Sequence, residues 1–285
     1  MRLTHGWHVL FLALAQMLAV PASAAPQHVV SLLVCTDEYV FRLLPRERIA
    51  ALSYLAADRH PVVSTIADQV TGIALIRQNA ESVLARHPDL VVTYQGVNQE
   101  LHALMGAAGV PVLDLPWANS LDDVRIVTHL LGERLGEPVR ANALLADMDR
   151  KLAAARVTTP SPPVATLIYE PNGYITADGV TNEILKASGL HNAGPDMHQT
   201  RLGTVPVEAI VASPPELLIL NDSREASPAR ADMLLGHPAL AALEKQSYVA
   251  RLSLTPLLCP GPWSADAAAS FVALGRKVAL ARRAP

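Results

Sequence analysis

Short apolar runs alternate along the chain with longer stretches in which apolar side chains recur at helical spacing. The run His28-Val29-Val30-Ser31-Leu32-Leu33-Val34 is rich in β-branched residues and predicts a strand, followed by a helix over 36–44. Residues 48–53 and 90–94 predict further strands, and 98–108 a helix that Gly109 ends. A strand over 110–115 follows, with Pro111 placing it at a sheet edge. The pattern restarts at 164–170 and continues with helices at 181–188, 205–212 and 264–281 and strands at 216–220 and 249–254. Strands separated by helices imply parallel pairing, so the expected class is α/β, with two lobes built on parallel sheets.

Between the lobes, Ser120 and Asp123 mark a helix start for 121–135, Gly136 its end, and Pro138 the first turn of the next helix. That helix, over 137–157, carries apolar residues at Val139, Ala143, Leu144, Met148, Leu152 and Ala155. It would be about 30 Å long at 1.5 Å per residue, enough to connect one lobe to the other. The expected division is a leader over 1–24, an N-terminal lobe over 25–136, a connecting helix over 137–158 and a C-terminal lobe over 159–285.

The lobes echo one another. The segment from Glu81 to Val92 (ESVLARHPDLVV) aligns without a gap with that from Glu208 to Ile219 (EAIVASPPELLI). Each is a short helix, a proline stop and a buried strand. A looser echo relates Thr36-Asp37-Glu38 to Thr181-Asn182-Glu183 in the same order. Two echoes in register favour a duplicated lobe.

The N-terminus changes the picture of where the chain works. Arg2 precedes an apolar run from Val9 to Val20, Pro21 breaks it, and Ala22-Ser23-Ala24 offers a small-residue cleavage site. This is the form of a secretory signal peptide, and the run falls short of the roughly 20 residues a spanning helix needs. The leader holds one of the 23 Lys and Arg and none of the 26 Asp and Glu, so its removal takes the formal net charge from −3 to −4. An acidic balance argues against a nucleic-acid partner.

Three more stretches carry a family resemblance: Ser31-Leu32-Leu33-Val34-Cys35-Thr36-Asp37, Tyr169-Glu170-Pro171-Asn172-Gly173-Tyr174 and Cys259-Pro260-Gly261-Pro262-Trp263. With the Glu81 and Glu208 units and the connecting helix, they make the chain resemble the helical-backbone periplasmic binding proteins for cobalamin, ferric siderophores and haem. The resemblance implies a monomeric carrier with a ligand cleft between the lobes. It would hold a metal chelate as cargo, with no intrinsic cofactor, and deliver it to the permease dimer and ATPase of an ABC importer. It also implies that Glu81 and Glu208 meet basic residues of the permease.

Ligands of α/β lobes sit beyond the C-terminal ends of strands. That rule selects Cys35-Thr36, Tyr54, Tyr94-Gln95, Trp117, Asn172-Gly173-Tyr174, Asn221-Asp222 and the stretch from Cys259 to Trp263, while Arg77, His198 and Arg201 add loop contacts. Tyr54, Arg77, Tyr94, Trp117, Tyr174, Arg201 and Trp263 are the candidate ligand contacts, because aromatic rings suit a planar macrocycle and arginines its acidic groups. No residue is assigned to a bound metal; His198, as a lone loop histidine, is a weak ligand candidate. In an oxidising compartment a Cys35–Cys259 disulfide is the first expectation, with free thiols or metal-bound thiolates as alternatives. The different class is a secreted α/β enzyme or metal-binding protein using the cleft. Against it, no G-x-S-x-G or H-E-x-x-H motif occurs, and the ten histidines are scattered.

Overall fold

The computed structural model describes residues 24–59, 63–157, 161–197, 199, 203–221 and 230–283. In the N-terminal half, β1 (Val29–Ser31), α1 (Val34–Leu43), β2 (Ile49–Ser53), β3 (Leu75–Ile76), α2 (Ala80–Leu84), β4 (Leu90–Tyr94), α3 (Gln99–Ala107) and β5 (Val112–Leu115) form one unit. Its sheet runs β3-β2-β1-β4-β5, and every pairing is parallel. After α4 (Leu121–Arg134) and α5 (Pro138–Val157), the pattern recurs as β6 (Val164–Tyr169), α6 (Gly179–Ala187), β7 (Leu190–Asn192), α7 (Val207–Ala212), β8 (Leu217–Asn221), α8 (Pro238–Ala242), β9 (Tyr248–Leu252), α9 (Thr255–Leu258) and α10 (Ala267–Ala281). This second sheet runs β7-β6-β8-β9, again all parallel.

The order β7-β6-β8-β9 repeats β2-β1-β4-β5 strand for strand. The sequence echoes fall on equivalent elements: the Glu81 unit is α2 and β4, the Glu208 unit α7 and β8, and the Thr36 and Thr181 triplets open α1 and α6. Both faces of each sheet are buried, as parallel sheets require. Val29, Leu90 and Val92 face the cluster under α1 and α4, while Val30 and Val91 face Leu101 and Met105 of α3. Pro111 precedes β5, which is an edge strand, so its missing N–H costs no ladder bond.

The strand expected over 28–34 is shorter than its apolar run. The Thr36 hydroxyl accepts from the Leu33 N–H (3.2 Å) and donates to the Leu33 carbonyl (2.9 Å), which starts α1 at Val34. Ser120 caps α4 by accepting from the Asp123 N–H at 3.0 Å. The helix expected over 264–281 is a 3-10 turn (Pro262–Asp266) leading into α10.

α5 joins the two units. Ala141, near its start, packs in the N-terminal cluster, and Leu145, Met148, Leu152 and Ala155 pack in the C-terminal one. α4 lies against it and reaches both clusters too, through Leu121 and Val124 at one end and Val127, Leu131 and Leu135 at the other. The connection is therefore a pair of helices seated in both cores. Gly132 permits their approach: a Cβ there would lie 2.5 Å from the Ala141 Cβ.

Gly132→Ala should destabilise the chain by about 1–3 kcal/mol, since overpacking outweighs the better helix propensity of alanine. Ala141→Gly in the same chain should reduce that cost below the sum of the single effects, as urea unfolding of the four chains would show.

Candidate functional site

All strands of a parallel sheet end on one edge, and the backbone beyond that edge is free to meet a ligand. The first sheet ends at Ser31, Ser53, Ile76, Tyr94 and Leu115, the second at Tyr169, Asn192, Asn221 and Leu252. Cys35 opens α1 just beyond the first edge, and Cys259 follows α9 just beyond the second. They form a disulfide with Cα atoms 4.9 Å apart, so the two edges face one another.

Four aromatic side chains are exposed among the described residues: Tyr54, Trp117, Tyr174 and Tyr248. The first three stand on the segments that follow β2, β5 and β6, at the facing edges. Trp117 is 54% exposed, and its orientation is set on two sides. One face stacks on Tyr94 with centroids 4.3 Å apart and planes 10° from parallel, and its indole N–H donates to the Gln95 carbonyl at 3.3 Å. Tyr94 itself is 3% exposed, and burial pushes its hydroxyl up to about 12. It supports Trp117 from beneath instead of presenting its own ring.

Tyr54 carries the Arg77 guanidinium over its ring at 4.9 Å. Its place is set by Asp37, which accepts from the Ser53 N–H (3.1 Å) and hydroxyl (2.5 Å) and so holds the end of β2. The adjacent Glu38 accepts from the Thr65 N–H and hydroxyl, both at 2.6 Å, and pairs with Arg42, which ties the 64–65 loop to α1. Neither carboxylate stands out in the sequence as a structural tie; only the packed loops reveal them.

Tyr174 is displayed by a tight reversal. Asn172 and Gly173 have φ of +63° and +84°, and a Cβ on Gly173 would sit 3.2 Å from both the Tyr169 hydroxyl and the Val205 carbonyl. The reversal is closed by the Glu170 N–H to the Tyr174 carbonyl at 2.8 Å. Glu170, in the sequence no more than one residue of the stretch from Tyr169 to Tyr174, sits half-buried at this edge. Burial raises its carboxyl above the ordinary range, and the bond from Asn221 lowers it by less.

Trp263 corrects an expectation. It is 4% exposed, packed edge-on against Tyr39 at 4.7 Å and covered by the Arg42 guanidinium at 4.5 Å, so its ring is closed to a ligand. Arg201, His198 and Asp222 lie outside the described residues. Among the described residues, no three His, Cys, Asp or Glu side chains converge to hold an ion.

Glu81 and Glu208 are exposed in the first turns of the equivalent helices α2 and α7. Among the described residues neither has an ion-pair partner.

The family described as "Periplasmic binding protein" matches residues 57–247. A cobalamin-binding protein of Halobacterium salinarum (strain ATCC 700922 / JCM 11081 / NRC-1) is 26% identical over 231 residues, 76% of this chain and 60% of that protein. The chain thus spans about three fifths of the length of the curated relatives it matches. Among solved structures, a periplasmic heme-binding protein from Pseudomonas aeruginosa is 27% identical, with a TM-score of 0.59 over 87% of this chain and 92% of that one. The apo periplasmic heme-binding protein RhuT from Roseiflexus sp. RS-1 shares the fold, with 24% identity and a TM-score of 0.70 over 89% and 99% of the two chains.

Asp37 gives the site a pH signature. Burial raises its carboxyl to about 7, a rise that the Ser31 and Ser53 hydrogen bonds reduce and the neighbouring Glu38 charge augments. A folded-state value above the ordinary 3.8 means that its contribution to stability is complete below that value and is lost as pH rises through 7. Asp37→Asn keeps the Ser53 pairing without the charge. Its unfolding midpoint relative to the parent chain should therefore climb between pH 4 and 8; a difference flat across that range would mean an ordinary carboxyl at Asp37.

Proposed function

The chain belongs to the periplasmic binding protein family, and from that premise we propose that it is the substrate-capturing component of an ABC importer for a metal chelate. The observation that carries this reading is the set of open aromatic faces at Tyr54, Trp117 and Tyr174, brought to facing edges by the Cys35–Cys259 bond. Exposed flat π-faces suit a large conjugated or partly unsaturated macrocycle, which would cover them on binding. Arg77 beside Tyr54 suits the acidic periphery of such a ligand. A haem, a cobalamin or another corrinoid, and a ferric siderophore are the cargoes in scope. They are captured as substrate, with no cofactor of the protein's own and no catalytic residue assigned.

In this reading residues 1–24 direct export and are removed, and the mature chain works as a monomer in the periplasm. The family is periplasmic, and the family and its structural neighbours are binding proteins. Capture is favoured by pre-organisation, because a site whose walls are already ordered loses less conformational freedom on binding. Delivery uses Glu81 and Glu208. Two exposed carboxylates at matched positions of a duplicated fold can pair with two basic residues on a two-fold permease dimer, orienting the encounter.

Two experiments test this. Protein isolated gently from periplasm should carry a bound chelate by native mass spectrometry, or should bind haem, cyanocobalamin or a ferric siderophore one-to-one with quenching of tryptophan fluorescence. Trp117→Ala should weaken that binding about tenfold, the scale of losing one well-placed aromatic contact. A chain that binds none of the panel would remove metal chelates as cargo. In transport assays, Glu81→Ala with Glu208→Ala should abolish uptake and leave chelate affinity intact; loss of both together would defeat the docking assignment.

A further inference from the structure

The α1 helix of the N-terminal unit receives a piece of the C-terminal unit. Cys35, Tyr39 and Arg42 lie at i, i+4 and i+7, so they share one helix face. Cys35 bonds Cys259, the Tyr39 ring meets the edge of Trp263 at 4.7 Å while its hydroxyl donates to the Pro260 carbonyl at 3.3 Å, and Arg42 covers the indole at 4.5 Å. Arg42 is held on its other side by Glu38 and Thr65, so it cannot leave Trp263 without disturbing the loop beyond Tyr54. The indole N–H donates to the Cys259 carbonyl at 3.0 Å, which fixes the ring relative to its own segment. Cys259 and Trp263 are in consequence buried members of the N-terminal core cluster.

The duplication supplies an internal control. The residues of α6 equivalent to Cys35, Tyr39 and Arg42 are Val180, Ile184 and Ala187, and all three pack as ordinary apolar residues in the C-terminal core. Of the two copies of this face, only the one on α1 carries a thiol, a phenol and a guanidinium, and those three groups meet Cys259, Pro260 and Trp263.

We propose that Trp263 is a positioning residue for ligand retention: seated in the α1 socket, it sets the angle between the two ligand-bearing edges, and its unseating limits release. The proposal rests on the cleft being the ligand site. The cystine acts as the tether that keeps the indole within reach of the socket, and Tyr39 and Arg42 determine how long it stays there. Trp263 touches no ligand; it acts through the distance between Tyr54 and Trp117 on one edge and Tyr174 on the other.

The test pairs a measurement without ligand and one with it. Fluorophores on unnatural residues at exposed Glu100 and Glu244 report the distance between the units in the full mature chain. Trp263→Leu should broaden that distance distribution, and Trp263→Phe, which keeps an aromatic edge for Tyr39, should broaden it less. Release of haem or cyanocobalamin, whichever the parent chain retains, should accelerate about tenfold in Trp263→Leu with association little changed, the pattern of an effect on residence time. A distribution as narrow as that of the parent would overturn the proposal whether or not either chelate binds. So would a broadened distribution with unchanged release, or a lowered unfolding midpoint with both readouts unmoved. Failure of the parent chain to bind either chelate counts against the cargo class, and the distance measurement still decides the role of Trp263.

Discussion

The burial of Cys259 and Trp263 of the C-terminal unit in the core of the N-terminal unit is the contact on which the arrangement depends. The disulfide closes a sequence separation of 224 residues, and a loop of that length removes about 5 kcal/mol of unfolded-state freedom in the chain-entropy account. Beside it, Tyr39 and Arg42 hold the indole by complementary means. An aromatic edge meets an aromatic face, and a cation lies on the π-cloud. With α4 and α5 also seated in both cores, the two units are joined by two packed helices and by a returning segment. Their strand ends are thereby kept face to face.

The buried carboxylates extend this order to the loops around the site. Asp37 holds the end of β2, from which Tyr54 projects, and Glu38 holds the loop at Thr65 together with Arg42. Each buried acid is satisfied by several donors, the condition under which a polar group in a core specifies a geometry. On the opposite edge, Gly173 and Asn172 turn the chain sharply after β6 so that Tyr174 is presented outward. The open aromatics therefore stand on backbone anchored from behind.

Much of the fold was legible in the chain. Alternation of apolar runs and helical stretches, with the Glu81 and Glu208 units repeating in register, pointed to two related α/β units, and the strand orders match through four strands. Helix boundaries marked by local chemistry, such as Ser120 capping α4, fell within a residue of expectation. Where a boundary moved, as at β1 and α1, a single hydroxyl, Thr36, outweighed the apolar run. The candidate site was half legible: strand ends named segments that carry exposed aromatics, but Trp117 and Trp263 could not be told apart, since both follow strands and both are indoles.

The sequence by itself determined the parallel α/β class, the duplication and the acidic balance of the chain, while the joining of the units by a pair of helices, not by the single connector expected over 137–158, came from the packing. The class, the duplication and the charge follow from periodicity and composition, which act over a few neighbouring residues or over the chain as a whole. Only the tertiary structure decided that Tyr94 lies beneath Trp117, that Asp37 is a buried tie and that Trp263 is closed to a ligand while Trp117 is open. The reason is that exposure belongs to no residue alone. Trp263 is covered by Tyr39 and Arg42, more than 200 positions away in sequence, and what distant segments bring to a side chain is settled only when the whole chain has packed.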